Sequence, residues 1–157
     1  MNVMQATNAD CDRITQLIYS VLREYGLQPD PGGTDLDLMD VESHYTNSGG
    51  YFGLLYPDGP AGEMVATVGI RRIDTDTCEL RKMYMLPHMR GRGLGRQLLD
   101  FALARAVDLG YRRMTLETAS PLKEAIALYR KYGFTEFYPE HLSHRCDKAF
   151  NLYLAKE

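Results

Sequence analysis

Apolar positions in the first fifth of the chain repeat with a helical period. Ile14, Leu17, Ile18, Val21, Leu22 and Tyr25 form one stripe, the signature of a helix with one buried face. Thr7 or Asn8 supplies its cap and Gly26 its stop. Ahead of it, Asn2 to Ala6 reads as a short strand. A Pro/Gly loop runs from Gln28 to Gly33. Thr34 then caps a second helix, with Asp35 and Asp37 in its first turn, running through Leu36, Leu38, Met39 and Val41 toward Tyr45. Asn47 to Gly50 breaks it.

The period then shortens to that of strands. Tyr51 to Tyr56 and Glu63 to Ile73 flank the turn Pro57-Asp58-Gly59-Pro60. Asp74 to Thr77 turns the chain again, into the strand Cys78 to Leu86. Three strands with short connections suggest an antiparallel meander. A helix follows over Gln97 to Leu109, with Leu94, Leu98, Phe101, Ala102 and Ala106 on one face and Gly110 at its end. Arg112 to Thr118 is a further strand. Ser120 as cap and Pro121 at the first helical position open another helix. Its stripe is Leu122, Ile126 and Tyr129, and Gly133 closes it. Phe134 to Tyr138 and Ala149 to Leu154 read as the last strands. The passage from the Cys78 strand through a helix to the Arg112 strand implies a parallel pair. The sheet is therefore mixed and the fold α/β, in a single domain over residues 1–157.

Composition narrows the function. The formal net charge is −3, so nothing marks a nucleic-acid binder. Basic residues gather locally instead, at Arg81-Lys82, Arg90 to Arg96 and Arg112-Arg113, which suits an anionic ligand. Cys11, Cys78 and Cys146 are odd in number and widely spaced, so a reducing, cytoplasmic setting is expected. Neither a signal peptide nor a membrane span is visible. His141-x-x-His144-x-Cys146 offers three ligands where a structural zinc site has four; no metal is expected, and the motif reads as lining for an acceptor pocket.

The chemistry concentrates in Met83-Tyr84-Met85-Leu86-Pro87-His88-Met89-Arg90-Gly91-Arg92-Gly93-Leu94-Gly95-Arg96. A strand passes through a Pro-marked turn into a loop with three glycines and three arginines, then into a helix. Bare glycine backbone offers consecutive N–H groups to an anion. The helix N-terminus adds its own unpaired N–H groups and the positive end of its dipole. The stretch reads as a diphosphate cradle. It is not a P-loop, because Arg96-Gln97 follows Gly95 where Lys and Ser or Thr would be needed. Nor is it a dinucleotide fingerprint, because counting six from Gly91 or Gly93 reaches Arg96 or Leu98 rather than glycine.

Arg90-x-x-Gly93-x-Gly95, after a strand ending in Pro87, resembles the coenzyme A pyrophosphate loop of the GCN5-related N-acetyltransferase (GNAT) family. The resemblance extends over Glu79 to Met85, over Leu116-Glu117-Thr118 and over Glu124 to Phe134. It implies a central mixed sheet of about seven strands, splayed between the fourth and fifth, with about four helices. It also implies acetyl-coenzyme A as co-substrate. The backbone of Met83, Tyr84 and Met85 would pair with the pantetheine arm. The backbone of Arg90, Gly91, Arg92, Gly93, Leu94, Gly95 and Arg96 would hold the pyrophosphate. A bulge near Met85 would turn an N–H toward the thioester oxygen.

The same resemblance places Tyr129 as general acid and Glu79 as general base, acting through partial burial or a bound water. Glu117 is the rival base or an amine-binding group. Tyr25, Asp35, Asp37, His44 and Tyr45, from the first helix pair, are candidate acceptor contacts, with Thr118 and His144. Arg81 and Lys82 either recognise an acceptor carboxylate or form a solvated strand face. Strict alternation puts Glu79, Arg81, Met83 and Met85 on one face, unless a bulge intervenes. The expected activity is direct acetyl transfer to a primary amine of a small molecule, such as an amino acid. The alternatives are a protein N-terminal or lysine acetyltransferase and a non-catalytic coenzyme A sensor. A homodimer is compatible with the family.

Overall fold

The computed structural model describes residues 2–154. Among these, seven strands form one sheet: β1 (Val3–Gln5), β2 (Tyr51–Leu55), β3 (Ala66–Arg72), β4 (Thr77–Met85), β5 (Arg113–Thr118), β6 (Thr135–Phe137) and β7 (Lys148–Tyr153). Their spatial order is β1-β2-β3-β4-β5-β7-β6. Every neighbouring pair is antiparallel except β4 and β5, which are parallel. The helices are α1 (Cys11–Glu24), α2 (Val41–His44), α3 (Leu94–Asp108) and α4 (Lys123–Lys131).

The sheet has a core on each face. Ile14, Leu17, Ile18, Val21 and Leu22 of α1 pack with Phe52 and Leu54 on one face. Burying each such side chain contributes about 1.5–3 kcal/mol. Leu98, Leu99, Ala102 and Ala106 of α3, with Tyr129 of α4, pack with Leu80, Met114 and Leu116 on the other. Alternation along β2, with Phe52 and Leu54 facing α1 but Tyr51 and Leu55 facing α3, is what one strand needs to serve both cores.

Two expected elements take a different form. The helix expected from Thr34 to Tyr45 is two short pieces, a 3-10 turn at Leu36–Met39 and then α2. Asp40 separates them. Its backbone is extended (φ −155°, ψ 75°) and its side chain accepts a hydrogen bond from the Ser43 N–H, so it starts a new helix rather than continuing the old one. Nor does Ser120 cap α4, which begins at Lys123. The Ser120 hydroxyl and N–H both donate to the Asp147 carboxylate, at 2.6 and 2.9 Å. This ties the turn before α4 to the loop before β7.

Candidate active site

The site begins where β4 and β5 part. Their register runs from Thr77 opposite Arg113 to Leu80 opposite Leu116, and ends there. Beyond it β5 continues against β7 as far as Thr118, and β4 continues against β3 as far as Met85. The edge of β4 from Arg81 onward is therefore open on the β5 side, as strand addition by an extended ligand requires.

A bulge lies inside that opening. Thr67 is opposite Tyr84 but Gly69 is opposite Arg81, so β4 carries one residue more than β3 there. Lys82 adopts φ 55°, the left-handed region that a side chain disfavours. The Thr67 hydroxyl donates to the Lys82 carbonyl at 2.6 Å. The bulge is thus at Lys82, upstream of the expected place near Met85. It changes the expected faces too. Glu79, Arg81, Lys82 and Tyr84 reach the α1 side, while Met83 and Met85 join Leu80 in the α3 and α4 core.

After β4 the chain makes a 3-10 turn at Pro87–Met89 and enters the glycine loop. Gly91 and Gly93 have φ 77° and 78°, and a Cβ on either would meet nothing within 4 Å. The loop therefore shows bare backbone to open space. Among the described residues, the N–H groups of residues 91–96 find no carbonyl, and the first bond of α3 is from Gln97 N–H to Gly93 O. Arg90 is used differently from the expectation. Its N–H donates to Pro87 O. Its guanidinium donates to Met85 O at 2.7 and 3.1 Å and pairs with Glu24 of α1. It clamps the end of β4 to α1 and stacks over Tyr25.

A groove of about 330 Å³ runs along this cradle, lined by Tyr25, Met83, Tyr84, Met85, Gly91, Gly93, Gly95 and the start of α4. It adjoins a cavity of about 60 Å³ at Met83, Tyr84, Leu122 and Ala125, which also contains Tyr129, Lys82 and Glu117. That cavity in turn shares Leu80, Lys82, Tyr84 and Glu117 with a third, of about 50 Å³, lined by Glu79, Arg81, Ser143, Arg145 and Cys146. The split sheet is crossed by one line of cavities.

The groups along that line have shifted proton affinities. Burial, with Tyr84 nearby, pushes the Tyr129 hydroxyl well above its ordinary value and keeps it protonated at neutral pH. Among the described residues no protein group hydrogen-bonds it. Burial raises the Glu79 carboxyl; Arg81 opposes this and Glu117 reinforces it. One oxygen of Glu79 accepts from Arg81 at 3.3 Å, and one oxygen of Glu117 accepts from Ser143 N–H at 3.0 Å.

The chain matches the model of the acetyltransferase (GNAT) family over residues 16–134. The chain belongs to the GNAT family. It is 39% identical over 133 residues to a protein of Escherichia coli named uncharacterized N-acetyltransferase YjgM, covering 82% of this chain and 78% of that one. Its fold is also that of a GNAT acetyltransferase of Staphylococcus aureus (TM-score 0.89, 23% identity, 98% and 99% of the two chains). Another GNAT acetyltransferase, from Elizabethkingia anophelis and solved with acetyl-CoA bound, aligns with TM-score 0.68 at 20% identity over 98% and 97% of the chains.

Within this GNAT frame, the residues singled out from sequence divide into groups. Glu79, Arg81 and Glu117 line the innermost cavity, with Cys146. Tyr25 lies in the groove along the cradle rather than among the inner groups. His144 lines a separate outer cleft of about 450 Å³ between residues 26–30 and Arg145. Thr118 is buried at the end of β5, one residue out of phase with Glu117. His44 lies outside every one of these cavities. Among the described residues no three His, Cys, Asp or Glu side chains group to hold a metal.

Asp35, Asp37 and Tyr45 stand behind the inner cavity. Lys82 Nζ lies 3.1 Å from Asp35 and 3.3 Å from Asp37. Tyr45 donates to Asp37. Arg145 pairs with Asp35. Burial works against the Asp35 carboxylate, but hydrogen bonds from Arg145 and the Asp30 N–H, with Lys82 beside it, hold its pKa down to about 2. Arg145 was not flagged in the sequence. A single arginine in a late loop carries no motif, and its partner is 110 positions away.

Proposed function

We propose that this protein transfers the acetyl group of acetyl-coenzyme A to a primary amine of a small molecule, by direct attack in a ternary complex. The observation that carries the reading is the continuous line from the glycine cradle, past Tyr129, to Glu79 and Glu117. The free N–H groups of residues 91–96 fit a pyrophosphate, and the open edge of β4 at Met83 to Met85 fits the pantetheine amides. Bound acetyl-coenzyme A supplies the activated acyl group and a thiolate leaving group.

The chain's own groups then divide the proton work. An ammonium entering the inner cavity meets Glu117, which lines both small cavities and orients it. Glu79, made more basic by burial, takes its proton, directly or through a water. A backbone N–H at the Lys82 bulge supports the oxygen that gains charge as the amine attacks. Tyr129, protonated and without a protein partner, gives its proton to the departing sulfur. The hydrophobic walls at Leu80, Met83, Leu122 and Ala125 restrict water, which would otherwise compete as nucleophile.

The test is release of free thiol when the protein is mixed with acetyl-coenzyme A and a panel of small amines. Amine-dependent release, with acetylated amine found by mass, supports the reading. Release with peptides alone, or with no amine at all, overturns it.

A further inference from the structure

We infer that the acceptor is an amine with no carboxylate on the carbon that bears the nitrogen, an alkyl- or arylalkylamine rather than an α-amino acid. This rests on the reading of the inner cavity as the acceptor's amine site. Three cations, Arg81, Lys82 and Arg145, stand around that cavity and would be the groups to meet an acceptor carboxylate. Each is already committed. Lys82 Nζ donates to the Thr34 carbonyl at 2.9 Å and is ion-paired with Asp35 at 3.1 Å and Asp37 at 3.3 Å. Arg145 places two nitrogens on Asp35 and one of them on the Gln28 carbonyl. Arg81 bonds the Tyr45 hydroxyl, Glu79 and the Thr34 carbonyl. These bonds hold the cations in place from behind.

The carboxylates are the opposite case. Among the described residues, Glu79 and Glu117 each have one oxygen without a protein donor, although both line the same small cavity. With the buried Asp35 and Asp37 counted behind Glu79 and Glu117, four carboxylates, when ionised, outnumber the three cations by one, so the enclosure has room for one more positive charge. A single ammonium completes it. An α-amino acid would place its own carboxylate two bonds from that ammonium, inside about 50 Å³ already facing Glu79 and Glu117. No uncommitted cation is there to receive it, and like charges at short range in a dry cavity repel strongly. Arg81 and Lys82 are thus scaffolding for the site and not its carboxylate readers.

Matched pairs test this: phenethylamine against phenylalanine, tyramine against tyrosine, isopentylamine against leucine. Phenylalaninamide serves as a control that keeps the size and removes the charge. At pH 8 the amine of each pair should exceed the amino acid at least tenfold in kcat/KM, by free-thiol release, and the amide should recover most of the loss. In Glu117→Gln the ratio within each pair should shrink, because the repelling charge is gone; a purely structural loss would lower both members alike. Amino acids turned over as well as their amines would overturn the inference and leave acetyl transfer standing. No thiol release with any member would instead overturn the acetyltransferase reading and, with it, this one.

Discussion

Arg145, in the loop before β7, grips Asp35, in the loop after α1, with both terminal nitrogens, at 2.9 and 2.7 Å. The two loops are remote in sequence, and this pair joins them over the inner cavity. Asp35 is 1% exposed. Its pKa is about 2 in the folded protein, against an ordinary 3.8. It therefore stabilises the fold fully above the ordinary value, by about 2 kcal/mol, and that contribution is lost as pH falls through about 2. Urea unfolding followed from pH 7 to pH 2 should show the decline. In Asp35→Asn this part of the slope should vanish, and stability at pH 7 should fall by about 3–5 kcal/mol, since Arg145 loses its anion.

Tyr129→Phe removes the hydroxyl proposed to protonate the leaving sulfur and little else, because among the described residues it makes no hydrogen bond that its loss would break. The expected result is a fall in kcat of about 10²–10⁴-fold. Acetyl-coenzyme A affinity by calorimetry and thermal stability should both be retained. An unchanged kcat would remove Tyr129 from the proton path.

Glu79→Gln should change the shape of the pH profile as well as its height. Glu79, the proposed base, works only when ionised, and burial places its titration above the ordinary 4.5. In the wild type, kcat/KM should rise with pH as Glu79 loses its proton. The variant should lack that limb and be slower by about 10²-fold or more. A variant that keeps the limb would assign it to another group.

Gly93→Ala tests the cradle. At φ 78° an alanine is strained by about 1–2 kcal/mol, although its Cβ meets no protein atom within 4 Å. Thermal stability should drop modestly. Binding of acetyl-coenzyme A should weaken at least about tenfold, one step of 1.4 kcal/mol, because the new methyl and any shift of the loop disturb the N–H groups proposed to hold the phosphates. Gly59→Ala carries a similar φ of 90° in a turn far along the chain from the cradle. It should cost stability without touching that affinity.

The order of elements and the parallel β4–β5 pair could be read in advance because each long element carries a clean period. Leu17, Val21 and Leu22 mark a helix, and the run from Cys78 to Phe137 matches a known family in spacing. What could not be read depended on single side chains bonding across distance. Asp40 looks like one more polar residue within a helix until its carboxylate caps the next turn. Ser120 followed by Pro121 has the form of a helix start, yet Asp147 claims the serine. A bulge was expected near Met85, but its position at Lys82 was hidden because lysine, and not glycine, occupies the left-handed position. It is held there by Asp35, Asp37 and Thr67, none of which is local. Arg145 and the ring of committed cations were invisible for the same reason.

The additional residue in β4 acts like a frameshift for a pleated strand. Before it, the odd-numbered side chains Glu79 and Arg81 line the innermost cavity. After it, odd-numbered Met83 and Met85 turn to the α3 and α4 core, and even-numbered Tyr84 takes their place on the α1 side. One strand therefore sends Glu79 and Arg81 to the inner cavity and Met83 and Met85 to the groove along the cradle. Deleting Lys82 would keep every neighbouring residue and yet turn each of the later ones to the opposite face of the sheet.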